Sequence, residues 1–309
     1  MKTGNITKAT LVKQLKKLST AELSALIYEV KKHKKLINHY RNGVVCPKCG
    51  QKHIQKFGKC VGQQRYRCKD CKKTFTEYTS TIFSSTKKDY SLWLKYLDLM
   101  MKGLSLYNIS KELDISVVTA FRWRHKILNV IKKCNAKNKV NGVVEADETF
   151  LLYSHKGQHI EGLKGRKRGG VGRYRGISRD QIGVLVAIDK SKNIVAEMYG
   201  RGKISSKILG EVLGNRIEKD SVLVTDSCKS YIKFAENYRL QLKQIARGKH
   251  KNGEYHINNV NAYHSGLKLF LYQFKGISTK YLNNYLNWFQ WLRTGLDNNV
   301  LVKDYLLGC

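Results

Sequence analysis

Proline is nearly missing from this chain: Pro47 is the only one in 309 residues. Loops and element ends must therefore be set by the 25 glycines and by Asn and Ser. Acidic side chains are also scarce, 23 against 58 Lys and Arg, which leaves a formal charge of +35. Such a chain repels itself, and a polyanionic partner relieves the repulsion. Double-stranded DNA or RNA fits that role. An anionic membrane surface fits less well, because no basic amphipathic helix with an aromatic face stands out. No run approaches the ~18 apolar residues of a membrane span, and Met1-Lys-Thr-Gly lacks the apolar core of an export signal. The expectation is a cytoplasmic protein with no membrane partner. Its length suggests about two domains of ordinary size.

Cysteine is present but unevenly spread. Five of the eight fall between Cys46 and Cys71, while Cys134, Cys228 and Cys309 are isolated. A disulfide framework would be odd in a long chain without an export signal, so the cluster reads as metal binding. Cys46-Pro-Lys-Cys49 is followed, after eighteen residues, by Cys68-Lys-Asp-Cys71. Each knuckle supplies two thiolates from one turn, and two knuckles complete the tetrahedron of one structural Zn²⁺. Gly50 stands where the knuckle turn needs positive φ. Gln64 to Arg67 alternates like a strand, and Lys72 to Thr76 continues a hairpin. Residues 44–79 are thus expected to form a four-cysteine zinc ribbon, with Cys60 a spare thiol. Its basic residues favour DNA contact, although a ribbon can equally dock protein.

Residues 1–43 read as a helical arm. Ser19-Thr-Ala-Glu22 has capping-box spacing, and Leu23, Leu26, Ile27 and Val30 follow at helical intervals. Its lysines are either simply solvated or in contact with DNA. Residues 86–133 read as a helix-turn-helix unit. Leu92, Trp93, Tyr96, Leu97 and Met100 form the inward face of a first helix, which Gly103 ends. Ser105 to Leu113, a turn at Asp114 to Ser116, and the basic helix from Val117 to Leu128 then follow. Ile109, Leu113, Ile115, Val118 and Phe121 are the expected core. Ser116, Thr119, Arg122, Trp123 and Lys126 are expected to face outward, toward base edges or phosphates.

Residues 140–309 alternate between strand and helix patterns. Val143–Phe150, Gln181–Ile188, Ile194–Tyr199, Ser221–Thr225 and Leu242–Ile245 read as strands. Helices are expected at 204–217, 231–238 and about 256–274. Hairpin strands followed by strand–helix alternation imply a mixed sheet flanked by helices, an α/β fold. Asp147 lies within the first strand and Asp226 closes the strand Val222-Leu-Val-Thr-Asp226. Carboxylates at strand carboxyl ends point into the crevice where open α/β sheets bind ligands. Two of them can hold a pair of Mg²⁺ ions. Asp226 can instead cap the helix that follows it. Glu145 shares the face of Asp147 by alternation and Glu148 faces away.

A zinc ribbon, a helix-turn-helix, Val144-Glu-Ala-Asp-Glu-Thr149, a Val-Thr-Asp strand end and His256-Ile-Asn-Asn-Val-Asn-Ala-Tyr-His-Ser-Gly-Leu-Lys268 occur here in order. Together with Phe274-Lys-Gly-Ile-Ser-Thr-Lys-Tyr-Leu-Asn-Asn-Tyr-Leu286, this order resembles the ISXO-like transposases of bacterial insertion sequences, over residues 44 to 292. The resemblance implies an RNase H-like catalytic domain that uses two Mg²⁺ or Mn²⁺ ions to cut transposon ends and join them to target DNA. It implies the motif Asp, Asp, then Glu or Asn, then Lys, at Asp147, Asp226, Asn261 and Lys268. The first three would hold the ions and Lys268 a phosphate. Asn261 is a departure from the glutamate of many relatives: it offers a neutral oxygen and removes one negative charge. Glu254 is a second-ranked substitute, and His256 and His264 are supporting residues. The resemblance also implies a homodimer or higher oligomer on DNA, in a bacterial nucleoid.

Between the first two strands lies Lys164-Gly-Arg-Lys-Arg-Gly-Gly-Val-Gly-Arg-Tyr-Arg-Gly176. This basic loop, 163–179, is expected to clamp DNA phosphates through Arg166, Lys167, Arg168, Arg173 and Arg175 and to order on binding. The function expected is therefore that of a DNA transposase. Its rivals are a catalytically weakened DNA-binding regulator and a metal-dependent nuclease without strand transfer.

Overall fold

The computed structural model describes residues 44–60, 63–76, 78–79, 82–84, 86, 88, 90–162, 170, 172, 174, 176–249 and 251–294. The expected arm of residues 1–43 lies outside the described residues, as do Arg166, Lys167, Arg168, Arg173 and Arg175 of the basic loop. The chain divides into two compact units, with the split between Leu99 and Met100. Among the described residues, no helix is long and apolar enough to cross a membrane.

The first unit is built on a small antiparallel sheet, β1 (Ile54–Cys60), β2 (Gln63–Cys68) and β3 (Thr74–Phe75), in that order. Among the described residues, the cluster under this sheet has four buried members, Cys46, Tyr66, Cys68 and Phe75. Tyr66 stacks on Phe75 at 5.6 Å. So few apolar contacts cannot offset the entropy of ordering this segment, which makes a bound ion the natural source of stability. Gly50 has φ +74°, the conformation the knuckle turn requires. The helix α1 (Tyr90–Met101) follows; Trp93, Tyr96 and Leu97 are buried, and Phe83 meets Trp93 edge-on at 5.4 Å.

The second unit begins with α2 (Leu106–Glu112) and α3 (Val117–Asn135). Ser105 and Ser116 cap them, each accepting a hydrogen bond from the amide three residues on. Asp114 turns the chain at φ +48°. Ile109, Leu113 and Ile115 are buried as expected. Two assignments on α3 need correction: Val118, expected in the core, is 58 % exposed, and Trp123, expected toward DNA, is 5 % exposed. α3 also carries a second packing surface. The far half of α3 lies against α7 (Leu282–Arg293), where Asn135 Nδ2 donates to Asn287 O at 2.9 Å and His125 stacks on Tyr281 at 4.2 Å. Trp123 lines up by helical spacing with buried Ala120, Ile127 and Val130, on the apolar face of α3. α3 and α7 both belong to the second compact unit.

The main sheet has the order β6 (Ile194–Gly200), β5 (Gln181–Asp189), β4 (Val143–Leu152), β7 (Val222–Asp226), β8 (Gln241–Ile245). β5 runs antiparallel to both β4 and β6, while β7 and β8 run parallel to β4. This is the RNase H-like mixed α/β fold expected. On one face Leu209 and Leu213 of α4 (Ser206–Leu213) and Tyr231 and Phe234 of α5 (Ser230–Tyr238) pack on Val144, Ala146 and Leu185. On the other, Val260, Tyr263 and Leu267 of α6 (Asn258–Tyr272) and Leu286 and Phe289 of α7 pack on Val184 and Val186. The helix expected at 204–217 is thus shorter, and α7 was not anticipated. A small hairpin, β9 (Lys251–Asn252) and β10 (Tyr255–His256), precedes α6.

Candidate active site

β4 is the centre strand of five, so its side chains meet helices on both faces. Asp147 pairs across to Val186, and its side chain lies on the α6 face, where His264 Nδ1 is 3.8 Å from Asp147 Oδ2. The parallel ladder between β4 and β7 ends at Glu145↔Val224; two residues further along each strand stand Asp147 and Asp226. Burial pushes the Asp147 carboxyl up to about 6, the negative charge of Asp226 adds to the push, and the Glu148 amide and the Lys268 ammonium oppose it. The two acids and the lysine thus lie within electrostatic reach of one another.

Asp226 is exposed at the strand end, with Oδ1 accepting from Cys228 N at 3.0 Å. The capping alternative does not hold: the residue at the N-cap of α5 is Lys229, and no side chain caps that helix. Asn261 is exposed in the first turn of α6, three residues before His264 and seven before Lys268, so all three share one helix face. His264 is buried; burial first, and Lys268 second, hold its imidazole down to about 4, so it is neutral at physiological pH.

Glu148 points to the opposite face, as alternation requires, where the Tyr231 hydroxyl donates a short hydrogen bond to it. Burial nevertheless pushes its carboxyl up to about 7, with Asp147 and Asp226 adding to the effect and the Tyr231 hydrogen bond opposing it. Three carboxylates thus share one end of the sheet. Glu145 has a role that sequence reasoning missed. It is 6 % exposed, and its carboxylate accepts from the amides of Asn259 and Val260 at the start of α6. Its Oε1 is also 3.2 Å from His256 Nδ1. Alternation with Asp147 signalled the face but not the partner. Glu254 sits exposed in the β9–β10 turn.

Two sets of residues are suited to metal. The Sγ atoms of Cys46, Cys49, Cys68 and Cys71 all lie within 4.8 Å of one another. Cys46–Cys71 and Cys49–Cys68 are each 3.6 Å apart, close to the ~3.8 Å edge of a tetrahedron with ~2.3 Å metal–sulfur bonds. Among the described residues no acidic cluster closes to that spacing. The carboxylates instead offer hard oxygen donors whose mutual repulsion a divalent cation would relieve. Of the residues expected on DNA, Arg122 is exposed and Lys126 is half-buried, its ammonium held below the usual lysine range by burial.

The sheet order and the acids beside its central strand define an RNase H-like protein. Residues 139–294, about half of the chain, match the ISXO2-like transposase domain, and the chain belongs to that transposase family. It is 27 % identical over 262 residues to an uncharacterized protein in transposable element ISH50 of Halobacterium salinarum, covering 81 % of this chain and 85 % of that one. Among solved structures, it is similar to a chain of the simian T-cell lymphotropic virus intasome in complex with PP2A regulatory subunit B56 gamma. That match has 11 % identity and a TM-score of 0.34, with coverage of 65 % of this chain and 69 % of that one. It is also similar to the mariner Mos1 paired end complex with Mg, at 12 % identity and a TM-score of 0.30, covering 96 % and 91 %.

Proposed function

We propose that this transposase-family protein binds the terminal inverted repeats of an insertion sequence, cleaves the DNA strand there and transfers the freed end to target DNA. The observation that carries the reading is Asp147: a half-buried carboxyl, raised by burial with Asp226 adding to it, and facing the helix that bears Asn261 and Lys268. Asp147 and Asp226 supply anionic oxygens for two Mg²⁺ or Mn²⁺ ions, and Asn261 a neutral carbonyl. Such ions, when bound, acidify an attacking oxygen and neutralise a leaving one. Lys268 acts as a point charge on a phosphate. Water attacks phosphorus in line to release a 3′ hydroxyl, and that hydroxyl then attacks a phosphodiester of the target. Neither step needs a covalent protein intermediate.

Cys46, Cys49, Cys68 and Cys71 hold one structural Zn²⁺. The net charge of +35, with Arg122, Lys126 and the loop cations Arg166, Lys167, Arg168, Arg173 and Arg175, serves the phosphate backbone. Pairing of two ends calls for at least a homodimer on DNA, and the nucleoid is the compartment where this takes place. The neutral oxygen of Asn261 favours a second reading, a regulator that retains the fold and binds without cutting.

The test is incubation of the purified protein with a labelled duplex carrying the element's end, a target plasmid and Mg²⁺ or Mn²⁺, beside Asp226→Ala. Joined products that require Asp226 support the transposase. Cut but unjoined products indicate a nuclease, and metal-independent binding without cleavage indicates the regulator.

A further inference from the structure

Glu145 reaches α6 at the positions where a helix needs an acceptor. The residue at the N-cap of α6 is Ile257, which has no capping oxygen. Asn258 N donates to His256 Nδ1 at 3.4 Å, and the next two orphan amides are satisfied from β4: Asn259 N donates to Glu145 Oε2 at 2.8 Å and Val260 N to the same oxygen at 3.2 Å. The Asn259 side-chain amide donates to Oε1. The cap thus comes from a residue 114 positions away, on the strand that carries Asp147.

The spacing gives this cap a consequence for the site. Glu145 and Asp147 are two residues apart on one face of β4, ~6.6 Å by strand rise. Their contacts on α6 are Asn259 to Val260 and His264, four to five residues apart, ~6 to 7.5 Å by helix rise. Strand and helix therefore run in the same sense with matched steps. The anchor at Glu145 fixes how far α6 can slide along β4, and with it where Asn261 stands relative to Asp147. A slip of one turn would displace Asn261 by ~5.4 Å.

We infer that Glu145 is a positioning residue of the active site: by capping α6 from β4 it sets the register of Asn261 and Lys268 against Asp147. The inference rests on the transposase reading for its effect on rate, and on hydrogen bonding alone for its effect on register.

The test uses the full chain with Glu145→Ala and Glu145→Gln, the latter keeping one carbonyl acceptor. Three quantities are read: kcat and KM for cleavage of an end duplex, Mn²⁺ affinity, and amide exchange along α6. Glu145→Ala is expected to lower kcat by about 100-fold, the scale of a misplacement near 1 Å, with KM for DNA unchanged. Exchange protection is expected to fall at Asn259 and Val260. Glu145→Gln is expected to recover most of the rate and to bind Mn²⁺ like wild type. A mere stability role would lower the melting temperature without moving kcat far below it. Should Glu145→Ala fail to fold, Glu145→Asp, one methylene shorter, reads the same quantities. The inference is overturned if Glu145→Ala keeps the wild-type kcat. It is also overturned if Glu145→Gln is as inactive as Glu145→Ala and has lost Mn²⁺, which would make Glu145 a ligand. If wild type cleaves nothing, the transposase reading fails. Amide exchange still decides the register role, because unchanged protection at Asn259 and Val260 would refute it.

Discussion

His264 Nδ1 stands 3.8 Å from Asp147 Oδ2 across the gap between α6 and β4, yet the two form no ion pair at neutral pH. Burial and the nearby Lys268 hold the imidazole at about 4, so it carries no charge to offer the carboxylate. Asp147 is left with Lys268 as its cation and with Asp226 and Glu148 as repelling neighbours. The site stores electrostatic repulsion that a divalent cation, or a proton, would relieve.

Burial of Asp147, with that repulsion added to it, sets a pH signature. The Asp147 carboxyl is raised in the fold from 3.8 to about 6, so the folded protein holds this proton more tightly than the unfolded chain does. The resulting stabilisation is complete below about pH 3.8 and is lost as pH rises through about 6. Above that, an ionised Asp147 costs the metal-free protein stability, with a ceiling of ~3 kcal/mol. Asp147→Asn should therefore melt higher than wild type at pH 8 in EDTA, and the gap should close near pH 4. Mg²⁺ should raise the melting temperature of wild type and leave Asp147→Asn unmoved. Equal melting temperatures in EDTA at pH 8 would refute the strain.

Tyr231 bears on the same cluster from the other face. Its hydroxyl donates to Glu148, and the ring is fully buried. Tyr231→Phe removes a donor to a half-buried carboxylate at little cost in volume, and an unsatisfied buried acceptor costs ~1–3 kcal/mol, an upper bound here. Because Glu148 is ionised mainly above about 7, the destabilisation should be larger at pH 8.5 than at pH 5.5. Thermal melts at the two pH values check it; an equal loss at both would assign the effect to packing.

Much of this was legible in the sequence, for identifiable reasons. Ligand chemistry fixes the spacing of Cys46, Cys49, Cys68 and Cys71, so the knuckles could be read directly. The apolar neighbours of Asp147 in β4 and the apolar runs of β5 and β7 marked strands, whereas the pairing and register of β4 with β7 were not legible, because no local pattern names a strand's neighbour. α7 was not legible. Every residue from Tyr285 to Trp291 is buried, Asn287 and Gln290 included, so no polar stripe reveals the helical period. Trp123 was misassigned because it was grouped with the basic residues beside it, although Ala120, Ile127 and Val130 share its helical face. Glu145 looked like one more acid beside Asp147, because a cap supplied from a distant strand leaves no short-range pattern.

The four-cysteine cluster makes a separable prediction. Among the described residues, the core under its small sheet has four buried members, two of them cysteines, whereas the second unit has two larger apolar clusters of its own. Cys46→Ser with Cys49→Ser should reduce bound zinc from about one equivalent to below about 0.1, since two ligands cannot hold a structural ion. The circular dichroism of the second unit should survive. Unchanged metal content by elemental analysis would remove the ribbon assignment.

Asn261 gives the sharpest comparison. A neutral carbonyl coordinates Mg²⁺ more weakly than a carboxylate, and it adds no repulsion to Asp147 and Asp226. Asn261→Glu supplies the missing charge at the same point of α6, and it should lower the Mg²⁺ concentration for half-maximal cleavage by about 10-fold. The added carboxylate should also push the Asp147 carboxyl further up, so metal-free Asn261→Glu should melt lower than wild type at pH 8. Asn261→Ala should shift the Mg²⁺ requirement the opposite way. Cleavage measured across a Mg²⁺ titration for the three proteins decides it. Identical half-maximal concentrations in all three would show that Asn261 is no ligand, and the site would then have to work with Asp147 and Asp226 alone.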